Sequence, residues 1–141
     1  MSRQKYRIGD LFVFKLEDGS DRNGFGRVVG LDKPSILVEL YEPMDINNIQ
    51  ITDAVKVLFT VWCTDTGITR GIWRIVGNFA IPTDHSPPKF YKSQALTDKF
   101  FLIDGQETVE ITKEQIGDAQ PYGIFGHGAV RIKYEHDLSK K

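Results

Sequence analysis

Short apolar runs, many alternating with polar residues and bounded by Gly, Pro, Asn or Asp, recur along the whole chain. That pattern predicts strands joined by tight turns. In the first run, Phe12, Phe14 and Leu16 fall on one strand face and Lys15 and Glu17 on the other. Leu11 and Val13 break the alternation, which predicts a strand whose first half is covered on both sides. A polar turn from Glu17 to Asn23 follows, with Gly19 and Gly24 able to take positive φ. Phe25-Gly-Arg-Val-Val29 returns as the second strand, and Gly26 predicts a bulge or a close backbone approach.

Ser35 to Glu42 reads as a third strand with Ile36, Val38 and Leu40 inward, and Pro43 ends it. The stretch from Met44 is a loop with one helical turn expected near Thr52 or Asp53. Val57 to Cys63, rich in β-branched and aromatic residues, is a buried strand. After an Asp65-Thr-Gly67 turn, Gly71 to Gly77 returns with Trp73 and Ile75 on one face and Arg74 on the other. Ile81 to Pro88 is a proline-bearing connection, and Lys89 to Lys92 is an extended edge segment. Lys99–Ile103 and Glu107–Thr112 make a hairpin about Asp104-Gly105. Thr112-Lys-Glu-Gln115 matches a capping box, but Gly117 limits any helix to about one turn. Asp118 to Gly128 is a glycine-rich loop. Ala129 to Glu135 closes the pattern as an alternating strand with Val130, Ile132 and Tyr134 inward, and the tail beyond frays. The fold class is mainly β, α+β with minor helix: a single domain, 1–141 and ordered over about 6–135, built as a strongly bent antiparallel sheet or partly open β-barrel.

Composition changes this picture little. The 141 residues suit one domain, with no internal repeat or linker, and a net charge of -1 argues against a nucleic-acid or anionic-membrane partner. One cysteine, Cys63, excludes an internal disulfide framework and fits a reducing compartment. The start, Met1-Ser-Arg-Gln-Lys5, leads into a strand without an apolar signal region, and no apolar run is long enough to span a bilayer. A cytoplasmic location is expected.

Catalytic chemistry is thinly represented. His85, His127 and His136 share no metal-ligand spacing with one another or with Cys63, so solvated loop histidines are expected and no metal. Cys63 needs a histidine brought to it by folding before it can act as a nucleophile; a small buried residue is the simpler reading. Gly123-Ile-Phe-Gly-His-Gly128 lacks the preceding strand, following helix and lysine of a phosphate loop. No enzyme and no cofactor are expected. Charge is more informative. Acidic residues gather at Glu17, Asp18 and Asp21, at Glu39, Glu42, Asp45 and Asp53, and from Asp104 to Asp118. Basic residues lie in the first seven positions and at Arg70, Arg74, Lys89, Lys92, Arg131 and Lys133. Such segregation steers a charged partner or serves only solubility. Phe79, Tyr91 and Tyr122, near loops, sit where interface anchors occur.

The stretch Ile8-Gly-Asp-Leu-Phe-Val-Phe-Lys-Leu-Glu-Asp-Gly19, followed by Gly24-Phe-Gly-Arg-Val-Val29, resembles the opening of the bacterial immunity protein 26 family. Leu58-Phe59, the Trp73-x-x-x-Gly77 strand, Pro82, Pro88-x-Phe90 and Ile103-Asp-Gly105 are also similar, so the resemblance touches residues 6 to 105. It departs at Val13-Phe14-Lys15, where members often carry Ile-Pro, and in a longer first turn. The resemblance implies a non-enzymatic, cytoplasmic protein of a polymorphic-toxin or contact-dependent growth inhibition system. Such a protein binds the C-terminal domain of a cognate toxin, commonly a nuclease, and inhibits it stoichiometrically. Against a basic nuclease cleft, acidic loops are the sensible contacts, which selects Asp18, Asp21, Glu42, Asp45 and Asp104 as partner-binding residues. Gly9, Asp10, Phe25, Gly26, Arg27 and Trp73 are expected to be structural, with Asp10 and Arg27 paired across the hairpin. A small β-barrel nucleic-acid-binding module is the alternative.

Overall fold

The computed structural model describes residues 4–51, 55–85, 88–94, 96–104 and 107–140. Along the chain run strands β1 (Asp10–Lys15), β2 (Asn23–Asp32), β3 (Ser35–Tyr41) and β4 (Val57–Thr64), then the short helix α1 (Thr66–Thr69) and β5 (Arg74–Asn78). There follow β6 (Phe90–Gln94), β7 (Lys99–Asp104), β8 (Glu107–Ile111), a 3-10 turn (Lys113–Ile116), β9 (Gln120–Pro121), β10 (Ile124–Phe125) and helix α2 (His127–Ser139). Two compact units result, Met1–Thr83 with Ile124–Lys141, and Asp84–Gly123.

The first unit is a six-stranded sheet in the order β10-β4-β3-β2-β1-β5, antiparallel except where β10 runs parallel to β4. Its organising contact is in the first hairpin, where Phe12 lies opposite Gly26 and Phe14 opposite Gly24. Each phenyl ring lies over the glycine across from it: a Cβ on Gly26 would overlap the Phe12 ring and come 2.9 Å from Leu40 Cδ1, and one on Gly24 would overlap Phe14. The expected close approach at Gly26 is therefore real, while the irregularity in β2 falls later, between Val28 and Gly30. Gly19 has φ +82°, as the turn requires. Gly24 is needed for room rather than for its φ.

Both faces of this sheet are covered. On one, Phe12, Phe14, Leu16, Val28, Ile36, Val38 and Leu40 pack with Trp73, Val130 and Tyr134. Phe12 stacks flat on Trp73, centroids 4.5 Å apart, and Phe14 meets Tyr134 edge-on at 5.2 Å. On the other, Leu11, Val13, Phe25 and Tyr41 pack under Met44, Ile46, Ile49, Val76 and Phe79. The broken alternation at Leu11 and Val13 thus has the predicted cause.

That second face also buries charge. Arg27 and Glu39 are directly opposed on β2 and β3 and pair at 3.7 Å, both side chains almost fully buried. The Tyr41 hydroxyl donates to Glu39 at 2.8 Å, and Arg27 lies over the Tyr41 ring. The expected Asp10–Arg27 pair gives way to this one because the register sets Leu11, not Asp10, opposite Arg27. Asp10 instead accepts from the Arg7 amide at 2.8 Å and from Asn78 Nδ2 at 3.0 Å.

The C-terminal segment corrects the sequence reading most. Residues 127–139 are helical, in place of the alternating strand expected over 129–135, and the helix continues past residue 135 to Ser139. Val130 and Tyr134 are buried in both readings because they satisfy a period of two and a spacing of four alike. Ile132 decides between them: it is 59% exposed on the outer face of the helix. Arg131–Glu135 and Lys133–Asp137 ion pairs, each spaced i,i+4, support the outer surface.

The second unit is a four-stranded sheet ordered β8-β7-β6-β9. The expected β7–β8 hairpin forms in the register Asp104 opposite Glu107, and the capping box holds, Thr112 N–H donating to Gln115 Oε1 at 2.8 Å. The segment read as an edge is an interior strand, because β9 pairs with the side of β6 that β7 leaves open. Phe90 is buried and meets Tyr122 edge-on. Neither sheet closes, so the bent-sheet reading stands and the barrel does not. Asp65-Thr-Gly67, read as a turn, begins α1. The helical turn expected near Thr52 and Asp53 lies outside the described residues.

The buried pair yields a stability prediction. Arg27→Met leaves Glu39 buried beside an apolar chain and is expected to destabilise by about 3–5 kcal/mol, while adding Glu39→Met recovers most of that loss. Urea denaturation of both variants measures it; equal losses in the single and double variants would mean that the charges are not coupled.

Candidate functional site

The turn between β1 and β2 is built by its own polar groups. Asp18 Oδ1 accepts from the Ser20 amide at 2.9 Å and from the Ser20 hydroxyl at 2.5 Å, and Arg22 pairs with Asp18 at 3.6 Å. The Ser20 hydroxyl, then its amide, hold the Asp18 carboxyl below the usual range, so it is ionised across the neutral region. Asp21 is exposed at φ +60°, in the left-handed region that aspartate tolerates better than most residues. Leu16 N–H donates to the Arg22 carbonyl at 3.3 Å and closes the loop.

A charged clamp secures this turn to the C-terminal helix. Glu17 pairs with Arg131 at 2.9 Å, Arg131 pairs with Glu135 at 2.9 Å, and the Glu17 amide donates to Glu135. Sequence reading missed these groups because it placed residues 129–135 on a strand, where Arg131 and Glu135 would not be neighbours along one face of a helix. The i,i+4 spacing of Arg131 and Glu135, and of Lys133 and Asp137, was the available signal.

Strand direction brings Glu42 and Asp45 to the same end of the sheet. Lys15 pairs with Asn23 and Phe25 with Tyr41, so the first turn and the segment leaving β3 share one end. Tyr134 marks their meeting point. Its hydroxyl accepts from the Phe25 amide at 3.4 Å and donates to the Tyr41 carbonyl. Burial raises its pKa above the ordinary tyrosine range, with Phe25 and Arg22 pulling it down and Glu42 pushing it up. Arg22 of the turn and Glu42 beyond β3 therefore act on one hydroxyl. Glu42 is half-buried, and Asp45 is exposed, its carboxylate accepting from the Asn47 amide at 2.9 Å.

Asp104 ends β7 in the second unit, opposite Glu107, and its side chain lies outside the described residues. Four of the five proposed contacts thus share one end of one sheet, and the fifth belongs to another unit. That second unit carries a groove of about 460 Å³ lined by Lys92, Ser93, Gln94, Phe101 and Thr108.

The motif residues occupy interior positions. Gly9 has φ +93° and lies under Phe79, whose carbonyl would be 2.9 Å from a Cβ there. Phe25, Gly26, Arg27, Asp10 and Trp73 are all buried.

Among the described residues, no three His, Cys, Asp or Glu side chains come together to hold a metal ion, and no helix is long and apolar enough to cross a membrane. At the start of α2, His127 Nδ1 lies 2.9 Å from the hydroxyl of Thr66, which begins α1. Burial, reinforced by Asp65, pushes the Cys63 thiol up to about 12, the wrong direction for a nucleophile. What the geometry defines is a mainly β fold whose first unit has a sheet covered on both faces and an ionised turn at one end. The family model for immunity protein 26 matches residues 7–102, more than half of the chain, and the protein belongs to that family. Comparison with curated proteins and with solved structures returned no match.

Cys63 gives a pH prediction. Its folded pKa lies above the ordinary 9.0, so between pH 9 and about 12 the unfolded thiol ionises while the folded one stays protonated. The native state then binds more protons, and stability falls as pH rises, by about 1.4 kcal/mol per pH unit for this group. Chemical denaturation at a series of alkaline pH values is expected to show a shallower decline in Cys63→Val than in the wild type. Identical slopes would show that Cys63 is not a source of the loss.

Proposed function

We propose that this protein neutralises a cognate bacterial toxin by binding the toxin's C-terminal domain one-to-one, in the cytoplasm, within a polymorphic-toxin or contact-dependent growth inhibition system. Membership of the immunity protein 26 family carries the reading. The ionised turn gives it a physical form. Asp18 and Asp21 stand on a loop fastened to both the sheet and α2, with Glu42 and Asp45 at the same end. A rigid, negatively charged surface suits a basic cleft, because its carboxylates take positions otherwise filled by phosphates. The toxin fitting this description is a nuclease, and the mode is inhibition by binding rather than catalysis. Asp104, in the second unit, is a separate contact in this reading. A nucleic-acid-binding function would call for a basic footprint, and the net charge of -1 does not supply one.

Co-expression with the toxin domain encoded beside this gene tests the proposal. A one-to-one complex and restored growth are expected; neither complex nor rescue would overturn it. In the same assay, Asp18→Lys with Asp21→Lys is expected to weaken binding roughly tenfold or more while leaving the sheet intact, since both residues lie on the exposed turn outside the core. Unchanged affinity would remove the acidic turn from the interface.

A further inference from the structure

Among the described residues, four strand edges are left unpaired by the two sheets, and three of them are poor templates for a further strand. β10 is two residues long, and β9 is Gln120–Pro121, whose proline has no amide to donate. β5 joins β1 through a register shift at Leu11/Phe12, which distorts the ladder beside that edge. β8 differs on each count. It runs five residues, Glu107–Ile111, pairs with β7 without interruption, and contains no proline or glycine. Glu107, Thr108, Val109 and Glu110 are all exposed, Val109 to 52%, and among the described residues no strand pairs with that edge.

The charge on β8 selects among occupants. Two glutamates and no basic residue lie within the strand. A second copy pairing edge to edge would bring two such strands together and set four carboxylates close to one another, which disfavours self-association. Lysine or arginine on an incoming strand would meet complementary charge instead. Lys99 of β7 reaches Glu110 diagonally across the ladder at 3.9 Å, an exposed pair of little strength that leaves Glu107 unengaged by it. Thr108, Val109 and Ile111 favour extended backbone, and Val109 presents an apolar side chain beside the free amides and carbonyls.

The geometry points to β8 as a strand-addition site: an extended segment of the toxin domain bearing Lys or Arg pairs along its free edge and becomes the fifth strand of the second unit's sheet. Main-chain hydrogen bonds would supply affinity, and the two glutamates the preference for a basic sequence. This inference rests on the toxin-binding reading, and it adds a contact independent of the Asp18 turn.

The test uses the full chain and the purified toxin domain encoded by the neighbouring gene. Affinity is measured for wild type, for Glu107→Lys with Glu110→Lys, and for Thr108→Pro, with amide hydrogen exchange of β8 followed in the free protein and in the complex. Charge reversal is expected to raise Kd roughly tenfold or more, and β8 amides to gain protection on binding. Circular dichroism separates loss of binding from loss of fold, and the charge variant keeps the backbone amides if the proline variant proves unstable. If wild type binds while charge reversal changes Kd by less than about twofold and β8 amides stay unprotected, the edge is not the site and toxin binding stands. Weakened binding without protection makes the glutamates contacts but overturns strand addition. No complex with wild type removes both proposals together, and a concentration-dependent dimer through β8 would overturn the basic-segment assignment.

Discussion

Two phenyl rings lying over two glycines hold the first unit together. Phe12 and Phe14 each sit over the cross-strand glycine, and only a residue without a side chain leaves that space. Laid down in this way, the rings present their other surfaces to Trp73 and Tyr134, and so tie β1 to the residue preceding β5 and to α2. The Tyr134 hydroxyl, bridging Phe25 and Tyr41, fastens the helix to β2 and β3 as well. A one-residue slip in the hairpin would turn every ring to the opposite face, so this contact fixes register as much as it fills volume.

The same contact explains the separation of scaffold from candidate surface. Every motif residue of the opening hairpin is buried on one face of the sheet or the other, whereas Asp18 and Asp21 lie on the exposed turn beyond it. The turn is nevertheless not loose: Ser20, Arg22 and the Glu17–Arg131–Glu135 set hold it from within and from α2. Ordering a loop before it binds lowers the entropy lost on binding, so a pre-formed acidic turn serves recognition better than a mobile one of equal charge.

Much of this was legible in the residues. The alternation at Phe12, Phe14 and Leu16, its interruption at Leu11 and Val13, and the glycine at 26 read directly as a strand covered on both faces with a close approach beside it. The failures share a physical origin, because one-dimensional periodicity cannot choose when two periods place the same residues inward. Val130 and Tyr134 satisfy a strand and a helix equally, and the buried neighbours that select the helix lie on strands distant in the sequence, Phe25 being 109 residues from Tyr134. Arg27 was paired with Asp10 for want of a register; one residue's difference in alignment gives it to Glu39 on a third strand. The acidic cluster was visible as composition, but the end of the sheet to which it belongs follows only from strand direction. The open edge of β8 was hidden for a similar reason, since a sequence shows strands and not which of them lack a neighbour.

The dependence on ring-over-glycine packing is tested most directly by a double-mutant cycle between Phe12 and Gly26, read by urea denaturation. Gly26→Ala is expected to cost about 1–3 kcal/mol in the wild-type background, because its methyl group collides with the ring. In a Phe12→Leu background the collision with the ring is removed while the 2.9 Å approach to Leu40 Cδ1 remains, and the cost of Gly26→Ala is expected to fall by at least about 1 kcal/mol. Additive losses in the two backgrounds would contradict the account, since they would mean that Gly26 is required for something other than the ring above it.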